Sequence, residues 1–271
     1  MEIRHTDTPP TALPADAPAP GPWASMAAIT GYFALQLTAG ALALLTLATG
    51  DALVSGHVAL AGLEAASASV LRQPALQALL AMFSLGVAAS LTLWLVHRRW
   101  ASLWSLAQPP GFGFVAPRRP LFFALAVVLG LSAPILGEWL TGWLAQGHTV
   151  TQDIQQLGGH TPLGLRLPLV LVVVCVGPLA EELLFRGVLL SALMRRWPVG
   201  WAVGGSSLLF ALVHLPGLEY QWYALPNLIL LAVLLAGLRL RSGSIWPAVL
   251  AHGVNNLLAV AAWFVAINPP G

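Results

Sequence analysis

Three sets of polar residues sit inside apolar stretches of this chain at one-turn helical spacing. They are Glu181 and Glu182 with Arg186 in GPLAEELLFRGVLL, Phe210 with His214 in SSLLFALVHLPG, and His252 with Asn256 in SIWPAVLAHGVNNLLA. Residues four apart share a helical face, so each set presents its side chains to one neighbour. A carboxylate, imidazole or carboxamide at bilayer depth costs free energy unless it is partnered, and such residues mark functional sites. Three sets on three separate segments predict one converging site.

The chemistry follows from residue type. Glu182 precedes Arg186 by four residues, the favourable order for a helical ion pair, and the pair is expected to be structural. Glu181 lies about 100° further around the helix and has no cation at comparable spacing, which leaves its carboxylate for proton transfer. Glu181 falls 14 residues before Arg195 and His214 falls 15 after Val199. Antiparallel helices joined by that short loop would bring both residues to about 21 Å from it. Phe210 shares the face of His214 and is read as support for the site. His252 and Asn256 supply N–H donors that could hold an oxyanion in a water-poor pocket, each worth about 3 kcal/mol. Asn255 points to another face and is assigned a structural role.

Two schemes use these groups. In one, Glu181 and His214 activate a water that attacks a peptide carbonyl, while His252 and Asn256 hold the oxyanion. In the other, Glu181, His214 and His252 ligate a zinc ion that acidifies the water. The helical HExxH signature is absent and a three-ligand set leaves the general base unassigned, so the metal-free scheme is preferred, with no cofactor. Ser206 and Ser207 lack a GxSxG elbow and suit helix packing. Cys175, in LVLVVVCVG, is expected to be a buried apolar filler.

The elements that must position these residues are membrane helices. The 271 residues are 58% hydrophobic and 8% charged, whereas soluble domains carry about 25% charged residues. All 12 basic residues are arginine, with no run beyond pairs, and nothing suggests a nucleic-acid partner. Residues 1–22, with six prolines, read as a disordered leader. Apolar segments at 24–49, 75–97, 120–145, 168–194, 199–216, 222–238 and 244–266 predict an all-α polytopic bundle of about seven transmembrane spans, given the roughly 20 residues that one crossing requires. The stretch between the first two reads as either a surface amphipathic helix or a loop.

A domain division follows: leader 1–22, N-terminal transmembrane helices 23–145 and a catalytic core 146–271. Arg4, Arg98, Arg99, Arg118, Arg119, Arg195, Arg196, Arg239 and Arg241 fall on one side of a seven-span count, which places the N-terminus in the cytoplasm. One tension remains, because His252 lies only 11 residues beyond Arg241, shallower than Glu181 and His214. A kinked or tilted last span would reconcile them.

EELLFRG, FALVH and HGVNN in this order resemble the CAAX protease and bacteriocin-processing family, the type II CAAX prenyl endopeptidase group of intramembrane proteases. Its EExxxR, FxxxH and HxxxN pattern matches Glu181, Glu182 and Arg186, then Phe210 and His214, then His252 and Asn256. GLRLRSGSIWPAVLAH is similar to the stretch that leads into the third motif. The resemblance covers about residues 168–258. It implies endoproteolysis near the C-terminus of a membrane-associated protein or peptide substrate, in a helical core where the first-motif Glu and the second-motif His activate water. Family members include sorting-signal processors and bacteriocin maturation or self-immunity proteins.

The arginine-only, Ala-rich composition suggests a GC-rich bacterium. The inner membrane and a membrane-anchored bacterial substrate are therefore expected rather than a prenylated one. A non-catalytic immunity or peptide-binding protein is the other reading. A proton-coupled transporter is disfavoured by the lack of an internal repeat.

Overall fold

The structure is a computed structural model that describes residues 19–148 and 153–265. Most of the 1–22 leader, including Arg4, lies outside the described residues. Nine helices are present among the described residues, with no strand. They are α1 (Pro22–Ser55), α2 (Leu60–Leu71), α3 (Pro74–Arg99), α4 (Leu121–Ala145), α5 (Asp153–His160), α6 (Leu163–Met194), α7 (Val199–Val213), α8 (Leu225–Ser242) and α9 (Trp246–Val265).

The ends of these helices are written in the local sequence. Pro22 and Pro74 open α1 and α3 in the first turn, where the missing N–H is harmless. Gly56 and Gly243 close α1 and α8 in the left-handed conformation, at φ 77° and 70°. His97, Arg98 and Arg99 fill the last turn of α3, where cations suit the helix dipole.

Five helical stretches, not seven, are long and apolar enough to cross a membrane among the described residues: α1, α3, α4, α6 and Trp222–Ser242. The expected span at 199–216 contracts to α7, 15 residues long. At 1.5 Å per residue it covers about 22 Å, short of a hydrocarbon core of about 30 Å. The chain breaks where Pro216 and Gly217 follow His214, and two short 3₁₀ turns lead into α8. The 60–71 stretch is helical and buries Ala66 and Val70, with Ala66 in contact with Ala48 and Ala52 of α1.

Packing in the C-terminal half depends on small residues, as expected where lipid removes any hydrophobic drive between helices. One face of α4 buries Ala126, Gly130, Ala133, Gly137, Thr141 and Ala145. Gly130 meets the Ala251 carbonyl of α9 so closely that a Cβ would lie 2.6 Å from it. Outward faces instead carry large apolar side chains, including Leu37, Val54, Val128 and Ile135. Cys175 belongs with these: it is exposed rather than buried, because an apolar run in a membrane helix has a lipid side as well as a core side.

The segment after α3 adds an aromatic plug to the bundle. Trp100, Leu103, Phe112 and Ile245 form a buried cluster there with Val96, Leu183 and Val188. Arg239 departs from its expected place in a solvent-facing loop. It is fully buried, and its guanidinium donates to the Ala107 and Gly111 carbonyls at 2.7 Å each. The 100–118 segment thus folds under the α8–α9 turn, as the bond from the Ile245 N–H to the Gly113 carbonyl also shows. Arg239 therefore does not mark the water boundary.

Candidate active site

The first motif lies in an irregular stretch of α6. Residues Val172–Val176 and Leu183–Leu189 are π-helical, and only the six residues Gly177–Glu182 between them are α-helical. π-turns disturb the regular carbonyl ladder and recur at functional sites. Here the first π-turn presents its carbonyls to α9: Asn256 Nδ2 donates to the Val173 carbonyl at 3.1 Å, and Gly253 lies against the Val174 carbonyl.

Glu182 is the buried anchor. Its Oε1 accepts from Arg186 Nη1 at 2.9 Å and from His252 Nδ1 at 2.9 Å. Arg186 also donates to the Ala232 carbonyl at 3.2 Å and lies 4.4 Å over the Phe210 ring. Phe210 in turn touches both imidazoles, with ring centroids 4.5 Å from His214 and 5.7 Å from His252. The expected pair thus has a further member, and Phe210 is the spacer that Arg186 holds between the two histidines.

Glu181 is the more accessible acid, with its side chain 16% exposed beside the fully buried Glu182. Its Oε2 lies 3.5 Å from His214 Nε2 and 3.8 Å from His252 Nε2. Partner chemistry fixes the ring tautomers. His214 Nδ1 is 2.7 Å from the Phe210 carbonyl, which can only accept, so that nitrogen carries the hydrogen. His252 Nδ1 faces a carboxylate oxygen and donates likewise. In neutral rings both Nε2 atoms are therefore lone-pair acceptors aimed at a third acceptor, Glu181 Oε2. Such an arrangement is made to share a proton, a proton-donating water or a cation.

Six of the seven expected residues come together here. Asn256 does not join them. Besides its bond to Val173 it accepts from Asn255 Nδ2 at 3.3 Å, so the pair at 255–256 ties α9 to the π-turn. Ser206 donates to the Phe185 carbonyl at 3.0 Å across the α6–α7 contact, which is a packing contact between those helices.

As for zinc, donors of a tetrahedral site with bonds of about 2.0–2.1 Å stand about 3.3–3.4 Å apart. The Glu181–His214 separation is near that value and the Glu181–His252 separation is wider. Among the described residues no group of three His, Cys, Asp or Glu is disposed to hold a metal ion.

Gly253 gives a direct test of the helix contact. A Cβ there would stand 2.6 Å from the Val174 carbonyl, a backbone atom that cannot swing away. Gly253→Ala is expected to push α9 off the π-turn at a cost of about 1–3 kcal/mol, read as a lower Tm. The Asn256–Val173 bond should lengthen, and turnover should fall with it. An unchanged Tm would show that the close approach is not required.

Residues 163–258 match the family model described as Rce1-like, Type II CAAX prenyl endopeptidase Rce1-like. No curated protein and no solved structure gives a significant match. The matched segment holds α6 to α8 and the part of α9 that carries His252 and Asn256, which means every residue of the acid–imidazole cluster. Over residues 163–258 the chain is similar to the Rce1-like type II CAAX prenyl endopeptidases, which supports assignment to a CAAX protease family.

Proposed function

We propose that the protein is an intramembrane endopeptidase that uses Glu181 and His214 to activate water against a peptide bond of a membrane-anchored substrate. The observation that carries the reading is the convergence of two anchored imidazoles on Glu181 Oε2. Glu181, Glu182 and Arg186 together leave one negative charge, which a proton on either imidazole balances.

In the forward step the Glu181–His214 pair takes a proton from water while the water oxygen bonds to the peptide carbonyl carbon. The carbonyl electron pair moves to oxygen, where a protonated His252 donates through Nε2. When the C–N bond breaks, the proton held by Glu181 and His214 passes to the departing amine. The products are a new carboxylic acid and a new amine, which ionise to carboxylate and ammonium by passing the acid's proton to the amine, and the site returns to its starting protonation. Donors placed where charge develops lower the barrier most.

The prenyl-CAAX substrate class of the matched family makes a prenylated CAAX-type peptide the first probe. A bacterial setting favours a membrane-anchored protein without a prenyl group. The inner membrane with a cytoplasmic N-terminus is the proposed location. Zinc is the alternative agent of water activation: Glu181, His214 and His252 would hold it, and it would supply an acidified water, with the imidazole Nδ1 contacts orienting the rings.

The test uses the full chain in proteoliposomes with two probes, a farnesylated peptide ending in Cys-aliphatic-aliphatic-X and an unprenylated single-span peptide, with products identified by mass spectrometry. Cleavage that persists after exhaustive chelation in metal-free buffer is expected. Stoichiometric zinc whose removal stops cleavage and whose return restores it would transfer water activation to the metal. Saturable binding of both probes without any product would instead identify a peptide-binding protein.

A further inference from the structure

Helix α1, outside the matched segment, carries a buried polar group that the chemistry above leaves unused. Tyr32 is fully buried and packs in the same cluster as Ala180, Leu184 and Phe210 of the site helices and Ala88 and Ala89 of α3. Its hydroxyl has no hydrogen-bond partner among the described residues. Gln36, one turn along α1, and the charge of Glu181 both act on it, but no bond of proper geometry forms. A phenol buried without a partner is destabilising, whereas phenylalanine would fill the same space without that cost.

Glu181 has the complementary deficit. Its Oε2 faces the two imidazoles, while Oε1 is turned toward Gly177 and accepts no hydrogen bond among the described residues. The place that a Gly177 Cβ would occupy is 3.9 Å from Oε1 and 3.7 Å from Leu85 of α3, and Leu85 packs against the cluster that contains Tyr32. The unpartnered Tyr32 hydroxyl thus belongs to the packed cluster that Leu85 joins to the Gly177 side of Glu181.

We infer that Tyr32 is a positioning residue for Glu181, its hydroxyl donating to Oε1 in the reacting enzyme, directly or through one water, so that Oε2 stays aimed at His214 and His252. The inference rests on the proteolytic reading above. It gives the N-terminal helices a part in catalysis, since α1 supplies a hydrogen bond that the matched segment lacks.

The experiment is Tyr32→Phe in full-length protein, assayed in proteoliposomes with whichever of the two peptide probes wild type cleaves, alone and combined with Glu181→Asp. The inference expects kcat to fall about tenfold or more with KM changed less than about twofold, because the hydroxyl acts through the base rather than on bound substrate. Tm should hold or rise. In the Glu181→Asp background, where the carboxylate is withdrawn, the Tyr32→Phe effect should shrink below about threefold.

An unchanged kcat overturns the inference, as does the same fold-loss in both backgrounds. A clear fall in Tm also overturns it, since that would mean the hydroxyl already has a structural partner, and this measurement needs no substrate. Failure of wild type to cleave either probe would sink the proteolytic reading itself, and full turnover by Glu181→Gln would remove Glu181 from the mechanism. Normal turnover by Tyr32→Phe beside an inactive Glu181→Gln would sink only the role of Tyr32.

Discussion

Glu181→Gln is expected to lower turnover by about 10²–10⁴-fold, the span typical for losing a positioned acid–base group. The amide keeps the size of the side chain and can still hydrogen-bond. It cannot take a proton from water, and its N–H₂ or C=O would face two imidazole Nε2 atoms at 3.5 Å and 3.8 Å. Folding should survive, because Glu181 is not the anchor of Arg186. His214→Ala is expected to give a loss of the same order, since it removes the other half of the proton-handling pair. The measurement is kcat on inserted, monodisperse protein, with Tm as the control. The double variant should be little worse than either single one, because the two residues act as a unit. Near-normal turnover by purified Glu181→Gln would remove Glu181 from the mechanism.

Arg186→Ala is the second large effect, and it falls on stability. Arg186 and Glu182 are 2.9 Å apart with both side chains essentially inaccessible. Removing the guanidinium leaves a buried carboxylate facing only the His252 imidazole, and its Oε2 already lacks a partner among the described residues. Breaking a buried pair from one side costs about 3–5 kcal/mol. Folded yield and Tm should both drop, and the Phe210 ring should lose the cation that lies 4.4 Å above it. Adding Glu182→Gln removes the uncompensated charge and should recover part of the yield. It should not recover activity, because the amide no longer presents a carboxylate to His252 Nδ1. Equal yields for wild type, the single and the double variant would show that the pair has no structural weight.

Much of the site was legible from residue types because a membrane makes them conspicuous. Charged and amide groups are so costly among lipid tails that Glu181, Glu182, Arg186, His214, His252 and Asn256 stand out without any coordinates, and one-turn spacing groups them by helix. The helical class was equally legible, since backbone polar groups in lipid must be satisfied within a helix or a closed barrel. Depth was not. Counting residues from arginines treats each as a surface marker, yet Arg239 is buried against the Ala107 and Gly111 carbonyls. The count of about seven spans was not confirmed, since α7 stops after 15 residues, before Pro216 and Gly217.

The sequence by itself determined which side chains could not be left alone in the bilayer, and therefore that they must meet. Only the tertiary structure decided how. It gave His252 to both acids and turned Asn256 toward the Val173 carbonyl. It also brought Tyr32 from an unmatched helix into the cluster beside Glu181. The physical reason is that spacing along one helix fixes which residues share a face. Which face meets which is set by close backbone approaches such as Gly253 against Val174 and by the π-turns of α6, and those depend on contacts between segments far apart in the chain.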